Sequence, residues 1–600
     1  MKKIVHIFTI TWVSIFFLSS CESFLEETPY NKIVAGNYYT TASGIEKGVN
    51  GVYAGLRDLY GSGVLGSNNV SVSIPHFILY MCEAPTDIWR TGNSMELEFR
   101  NWTIDASSAN VNQFWTVCYR GINQANEVID ALTNLSIEAL GEGQRKIYLA
   151  EARFIRAHYY YHLVQQFGEV ELTTSPTKSA VTAAYKTPTD QIWQFIIDEL
   201  KFCMEDGSLP EAPSQYGRLS KYAAMHHLAR VYLTLNRSNQ DWQDAKNLTE
   251  AIIKSNQYTL VNSHKDLWDL DKKRNSEIIF PVLYSKDREL NSPTGNVLHV
   301  AFVTSYSDFY ATALIRSLEY GRPYNRIRPT YYLQNLYNED LDQRWEDCFR
   351  TAWCSNVVDK NGNPTSAEDK AFSPHTKKIE TIVWNIGDTV YYIPKKKWTP
   401  EQVAAAWPQW IWMPDSMTTT INKGGIQSDT NPDGIWPSNT KIQSPQSYPN
   451  LMKYMDPQRP TIDELNGSRD IFVFRLADTY LLAAEACHLL GDNNTAAGYI
   501  NVVRQRAAIP GKEEAMKIDA SQVDMNFILD ERARELAGEL HRWYDLIRTG
   551  QLYDRMNNPD MNPVTAGIFK DYHVLRPIPR TQLERISNPD EFKQNDGYAN

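Results

Sequence analysis

The sequence predicts a mainly α-helical protein with a large loop-rich region that contains short β-strands. Three observations predict it. Apolar residues recur at three- and four-residue spacing over long stretches near both ends, which is the period of helices that each bury one face. Several of these stretches come in pairs joined by a short polar turn. Between about residues 275 and 470 that period gives way to proline, asparagine, serine and glycine, with prolines recurring from Pro281 to Pro437. The 600 residues suffice for two or more packed units.

The first element is not part of the fold. Lys2 and Lys3 precede an apolar run from Ile4 to Leu18, followed by small Ser19 and Ser20, and these are the three regions of a secretory signal. The run, about 15 residues, is shorter than the roughly 20 a spanning helix needs, and polar residues from Glu22 to Lys32 follow at once. Removal of residues 1–20 is expected. Leu18-Ser19-Ser20-Cys21 has the arrangement of a lipoprotein lipobox. Small serines let a peptidase approach the backbone, the Cys21 thiol can form a thioether to diacylglycerol, and its freed amine can be acylated. Two or more chains hold stably where one holds only reversibly. The plainer alternative is an ordinary signal peptide that happens to contain a cysteine.

In a first unit, residues 21–270, helices are expected from Gly44 to Tyr60, Val111 to Leu132, Gly143 to Phe167, Thr187 to Met204, Ser220 to Leu235 and Asp241 to Ser255. The second, residues 271–600, holds the loop-rich region and then Arg475 to Leu490, Thr495 to Ala507 and Ser521 to Thr549. Asn, Asp, Ser or Thr stand near several starts, and Gly168, Gly491 and Gly550 near ends. Ala224, Leu228, Ala229, Tyr232 and Leu233 make a small-and-large seam that Trp242, Ala245, Leu248, Ala251 and Ile252 can meet across a turn. Arg475 to Leu490 and Ala496 to Val503 repeat this across Gly491-Asp492, so the pairs are tetratricopeptide-like, without the strict 34-residue consensus. In the middle, Glu277 to Leu283, Ile379 to Trp384 and Thr389 to Ile393 read as strands. Of sixteen tryptophans, Trp384, Trp398, Trp407, Trp410, Trp412 and Trp436 fall in this stretch, too many for helix cores alone, so some are expected to line a surface.

Composition excludes several classes. The net charge is −11 and no basic run exceeds Lys395-Lys396-Lys397, so nucleic acid is not an expected partner. After Cys21 the cysteines are Cys82, Cys118, Cys203, Cys348, Cys354 and Cys487, too sparse for a disulfide scaffold. Cys348 and Cys354 could bridge, but the helical look of Asp340 to Trp353 favours free thiols. With no CxxC, and with three tyrosines between His158 and His162 rather than an HExxH, no metal is expected and that histidine pair reads as helix packing. Gly61 to Gly66 fits GxGxxG but follows a helix, so it reads as a turn. Asp359 to Asn363 resembles a calcium loop, yet Lys370 stands where a bidentate Glu belongs. No cofactor is implied.

Four segments carry a specific resemblance. Glu151-Ala-Arg-Phe-Ile-Arg-Ala-His-Tyr-Tyr-Tyr-His-Leu-Val-Gln-Gln-Phe-Gly-Glu-Val-Glu-Leu172, Arg475-Leu-Ala-Asp-Thr-Tyr-Leu-Leu-Ala-Ala-Glu-Ala486, Glu531-Arg-Ala-Arg-Glu-Leu-Ala-Gly-Glu-Leu-His-Arg-Trp-Tyr-Asp-Leu-Ile-Arg-Thr-Gly550, and Leu575-Arg-Pro-Ile-Pro579 with Asn588-Pro589 and Gln594 to Tyr598 stand in order. Together with the lipobox and Thr28-Pro29, they resemble the SusD/RagB family of Bacteroidetes surface lipoproteins. Glu171 departs from the family's usual proline, and residues from Cys354 to Tyr448 show no family pattern.

The resemblance implies a non-catalytic, lipid-anchored outer-membrane protein facing the cell exterior, with no catalytic residue. It would capture oligo- or polysaccharide and pass it to a TonB-dependent, SusC-like transporter. Sugar rings stack on Trp and Tyr while Asn, Asp and Arg bond hydroxyls. The ligand candidates are Trp89, Arg90 and Asn93 in the first loop, with Tyr306, Tyr310, Tyr320, Tyr324, Trp384 and Trp410 in the middle; for each, packing is the competing role. Two other classes compete. A surface glycoside hydrolase could draw on Glu83, Asp87 and Glu277, and helix pairs could instead capture peptides.

Overall fold

The computed structural model describes residues 38–61, 76–92, 97–137, 139–291, 295–309, 312–396, 398–413, 430–431, 434–435, 439–442 and 447–599. Cys21, Asn93, Tyr310 and Trp436 lie outside the described residues. The longer helices are α1 (Ala42–Tyr60), α2 (Ala109–Asn134), α3 (Glu142–Phe167), α4 (Thr189–Met204), α5 (Lys221–Leu235), α6 (Asn239–Lys254), α7 (Leu476–Leu489), α8 (Asn493–Arg506) and α9 (Met525–Leu536). Thr41, Ser108, Ser220, Ser238, Asp492 and Asp524 each accept a backbone N–H in the first turn of a helix. These side chains supply acceptors that a helix start otherwise lacks.

From α1 to α8 each helix packs on the next, so the pairs stack into one array. Small residues make this possible: Ala223, Ala224, Ala229 and Ala245 are buried where α5 meets α6, and Ala477, Ala484, Ala496 and Ala497 where α7 meets α8. The chain leaves the array after Lys254 and returns at Leu476, yet α6 packs directly on α7. The loop-rich region is thus an excursion between consecutive members of a helical stack. The strand Ile471–Arg475 closes its neck by pairing antiparallel with Ile278–Val282.

The strands run β1 (Trp89–Thr91), β2 (Ile278–Val282), β3 (Ile327–Pro329), β4 (Phe349–Arg350), β5 (Ala352–Cys354), β6 (Ala367–Phe372), β7 (Ile379–Trp384), β8 (Thr389–Tyr392), β9 (Trp410–Met413), β10 (Thr430–Asn431), β11 (Gly434–Ile435), β12 (Thr440–Ile442), β13 (Asn450–Leu451) and β14 (Ile471–Arg475). One sheet has the order β12-β9-β8-β5; the others are two-stranded ribbons. In the larger sheet β5 is antiparallel to β8, while β9 is parallel to both β8 and β12. Around it lies a small separate core that includes Trp353, Trp384, Tyr391, Trp410 and Trp412.

Two expectations differ. The stretch from Asp340 to Trp353 is helical only over Arg344–Cys348 and then extends into β4 and β5; Cys348 and Cys354 are free thiols. Ser521 to Thr549 is not one helix, because α9 stops at Leu536 and a new helix, α10 (Arg542–Arg548), follows. Gly538 lies in the break at φ +79°, and a Cβ there would come 2.3 Å from Leu451 Cδ2. Helical periodicity continues through the break, but the backbone turns to reach Glu83.

The family-like segments meet in a buried ion-pair network. Arg475 donates to Glu277 at 2.8 Å, Glu535 at 2.7 Å and Glu539 at 2.6 Å. Arg344 joins Asp342, Glu531 and Glu535 at 2.8 to 3.1 Å. A second cluster sets Asp478 against Arg230, His226 and Arg532, and Asp545 against Arg532 and Arg548. Burial would raise the Asp478 carboxyl, but Arg230, Arg532 and His226 outweigh it and hold it well below the usual range. Such charges are tolerable only when paired, so the motif residues register α7, α9 and α10 against one another.

Candidate functional site

The loop-rich region meets the helical body at a turn built on Glu83. The helix Phe77–Cys82 delivers this carboxylate into the core, where it accepts Trp89 Nε1 at 2.6 Å, Gly538 N at 2.9 Å and Arg542 N at 3.4 Å. Burial pushes its pKa up to about 7 against these donors. At Asp87, burial is outweighed by Arg542 and Arg555, which lower its pKa; Arg542 Nε donates at 2.8 Å and Arg555 Nη1 at 2.9 Å. Thr330 then ties the turn to β3, its N–H reaching Ile88 O and its hydroxyl reaching Asp87 O, both at 2.9 Å.

So held, β1 runs antiparallel to β3 with Trp89 opposite Pro329, Arg90 opposite Arg328 and Thr91 opposite Ile327. Gly92 N extends the ladder to Arg326 O at 2.6 Å. Beside the ribbon sit three of the tyrosines expected from sequence. Tyr306 donates to Gly321 O at 2.8 Å, and its ring meets Tyr320 edge-on at 5.4 Å. Tyr320 donates to Cys354 O at 2.9 Å and lies beneath Arg350, 4.6 Å from its ring centre. Tyr324 is flanked by Arg322 at 5.6 Å and Arg326 at 5.5 Å. Gly321, at φ +80°, makes the bend between Tyr320 and Tyr324, where a Cβ would crowd Met455 Cε at 2.7 Å.

The structure sets Trp89 and Arg90 on the ribbon, Tyr324 just before β3, and Tyr306 and Tyr320 in the small core, at different depths. Trp89 is 0% exposed, packed edge-on against Phe302 at 5.4 Å, and anchors the turn with no ring face toward solvent. Tyr306 is also fully buried and Tyr320 nearly so, their hydroxyls used on the backbone. Arg90, Arg322 and Tyr324 are partly exposed. Trp384 and Trp410 lie in the small aromatic core that also holds Tyr306 and Tyr320, and Trp384 Nε1 donates to Asp369 at 3.0 Å. Of these arginines only Arg90 was singled out from sequence; for Arg326 and Arg328 the alternation Arg326-Ile-Arg328 was the available signal.

The carboxylates that a hydrolase could draw on are occupied. Glu83, Asp87 and Glu277 are all buried, and Glu277 is shared by Arg475 at 2.8 Å and Arg506 at 2.9 Å. His158 and His162 belong to a hydrogen-bonded chain. The Tyr544 hydroxyl is hydrogen-bonded to His162 Nδ1 and the Tyr60 hydroxyl to His158 Nε2, each at 2.7 Å, and His158 Nδ1 lies 3.4 Å from His227 Nδ1. Burial, with Arg230 adding to it, lowers the His162 pKa to about 3, so the imidazole is neutral. Among the described residues no group of three or more His, Cys, Asp or Glu could hold a metal ion, and no helix is long and apolar enough to cross a membrane. On the helical body a cavity of about 320 Å³ lies between α1, Tyr216 to Arg218 and β2. Its guanidiniums are engaged, Arg57 with Leu283 O and Arg218 with Glu151 and Asn50.

Two family models match the chain: the SusD family over residues 276–598, and "starch-binding associating with outer membrane" over residues 23–233. SusD-like protein P25 of Formosa agariphila is 25% identical over 578 residues, covering 95% of each chain. The starch-binding protein SusD of Bacteroides thetaiotaomicron is 22% identical over 600 residues, covering 97% of this chain and 96% of its own. Among solved structures, a laminarin binding SusD-like protein superposes with a TM-score of 0.60 at 21% identity, covering 93% of this chain and 100% of its own. Surface glycan-binding protein A from Bacteroides fluxus gives 0.61 at 18% identity, with the same coverages of 93% and 100%. At these identities the structural likeness establishes the fold.

Proposed function

Because this chain belongs to the SusD family, we propose that it is a non-catalytic surface lipoprotein that captures oligo- or polysaccharide and delivers it to a TonB-dependent transporter of the outer membrane. One observation carries the reading: a SusD family match over residues 276–598 and a starch-binding, outer-membrane-associated match over residues 23–233 span most of the chain, and the relatives align end to end. The names of the laminarin-binding and glycan-binding fold neighbours point the same way.

The ligand would lie along the ribbon of β1 and β3, where the partly exposed Tyr324 offers a ring for stacking and Arg90 and Arg322 offer donors for hydroxyls. Tyr306 and Tyr320 would support that surface from below. Trp384 and Trp410 would shape the neighbouring sheet. Cys21 would carry the lipid that holds the protein at the outer face of the membrane. Single contacts of this kind are weak, but several anchored copies on one polymer raise the effective concentration.

The test is binding of the soluble chain, residues 22–600, to a glycan panel by calorimetry, with a peptide library as control. Saturable binding to at least one glycan is expected, without release of reducing ends. No glycan binding together with tight peptide binding would overturn the reading.

A further inference from the structure

We infer that the protein binds a small monovalent anion, of the halide class, in a buried cluster of N–H donors from Trp102, Trp543, His573 and Arg576. The site is independent of glycan capture, so either reading can fail alone.

The cluster joins three segments distant in sequence. Trp102 follows the helix Leu97–Asn101, Trp543 lies on α10, and His573 and Arg576 belong to the closing segment. Trp102 stacks on Trp543 at 5.8 Å and on His573 at 5.1 Å between ring centres. The Arg576 guanidinium lies 3.9 Å from the centre of the Trp543 ring, 5.3 Å from Trp102 and 5.8 Å from Phe99. All four side chains are 4% exposed or less. Trp102 is held at φ +53°, a conformation that bulky residues rarely adopt, so its place in the cluster is imposed by the packing around it.

Every unmet polar atom of these four side chains is a donor. Trp102 Nε1, Trp543 Nε1, His573 Nε2 and Arg576 Nε and Nη1 are buried without a hydrogen-bond partner among the described residues. His573 Nδ1 accepts the Lys570 N–H at 2.9 Å, and burial, with Arg576 and Lys570 adding to it, lowers the ring's pKa to about 4. The neutral imidazole therefore carries its proton on Nε2. The Arg576 side chain reaches an acceptor only through Nη2, at 3.5 Å from Tyr80 O. Burial lowers its pKa to about 10, which leaves it charged at neutral pH, yet no carboxylate of the described residues pairs with it. Glu98 acts on it from beyond ion-pair distance and accepts the Ser108 hydroxyl at 2.7 Å.

Rings stacked on a guanidinium cover its faces, not the N–H bonds in its plane. An unpaired buried cation is costly, and buried donors are nearly always satisfied. Water fits poorly, since it would accept from two donors and bring two more hydrogens to a cluster of donors. An anion accepts from several N–H groups and neutralises the charge at once. A monovalent halide loses far less hydration than a divalent phosphate or sulfate on entering so buried a position.

The soluble chain, residues 22–600, is melted at constant ionic strength in sodium chloride, bromide or gluconate. The midpoint should be about 1 to 3 °C higher in either halide than in gluconate, rising with halide concentration. Crystals grown in bromide should show an anomalous peak in contact with Arg576 and at least one indole N–H. Trp102→Phe and Trp543→Phe each keep a ring and remove one donor, and each should lose about half or more of the halide-dependent rise. Arg576→Gln should lose all of it, and the two tryptophan variants keep the test decisive if that protein does not fold. Equal midpoints in halide and gluconate, a rise undiminished in both tryptophan variants, or a water rather than bromide between these side chains would overturn the site.

Discussion

Replacing Glu83 with Gln tests whether a buried carboxylate sets the turn behind Arg90. The side chain keeps its size, and its remaining oxygen can still accept Trp89 Nε1 and Gly538 N, which both bond Oε1 in the native protein. What changes is the proton linkage. Burial raises the Glu83 pKa from 4.5 to about 7, so the folded state binds this proton more tightly than the unfolded chain does. Its contribution therefore grows as pH falls through about 7 and levels off near the unfolded value of 4.5. At about 1.4 kcal/mol per pKa unit, the native protein should gain about 2 to 3 kcal/mol relative to Glu83→Gln between pH 8 and pH 5. Urea denaturation of both proteins, followed by tryptophan fluorescence at several pH values, measures the difference directly. The sign is the decisive part. Parallel stability curves for the two proteins across this range, or a native protein that loses ground to the variant on acidification, would refute the assignment of a raised pKa to Glu83.

Three further outcomes follow from the same reasoning. His162→Gln should lessen acid sensitivity: the His162 pKa of about 3 lies below the ordinary 6.5, so unfolded chains take up a proton that the fold refuses. Native stability should drop by about 2 kcal/mol relative to the variant as pH goes from 7 to 5, read by the same denaturation series. Arg475→Met takes one buried partner from each of Glu277, Glu535 and Glu539, leaving them to Arg506, Arg344 and Lys453, and should cost about 3 to 5 kcal/mol or prevent folding, measured by denaturation midpoint and soluble yield. Cys21→Ala should leave the melting temperature and glycan affinity of the mature domain unchanged while releasing the protein from membranes, and a variant that stays membrane-bound in high salt would remove the lipid anchor from the mechanism.

Helix periodicity carried far. The starts and ends of α1 to α8 lie within about two residues of those read from apolar spacing and caps, because each helix buries one face and the same residues record it. It failed at Ala537 to His541, where the apolar spacing persists but Gly538 turns the chain so that its N–H can reach Glu83, more than four hundred residues away in sequence. Tryptophans misled in a similar way. Trp89 and Trp384 sit in loop-rich sequence, the setting of a surface, yet both rings are buried, with buried Glu83 and half-buried Asp369 accepting their indole N–H groups. Whether such a ring turns inward depends on what packs over it, Phe302 for Trp89, and that contact has no signature in the local pattern.

By itself the sequence determined the helical pairs, their caps, three of the strands and the family, since these depend on residues close together in the chain or on motifs that survive as written. Only the tertiary structure decided that α6 stacks on α7 across the whole loop-rich region, that the motif residues Arg475, Glu531, Glu535 and Asp545 are a buried ion-pair network, and that Arg90 stands opposite Arg328. Each of these is a pairing of distant residues. Charges buried in low dielectric need a partner within hydrogen-bond reach, and the folded chain, not the order of its residues, sets which partner that is.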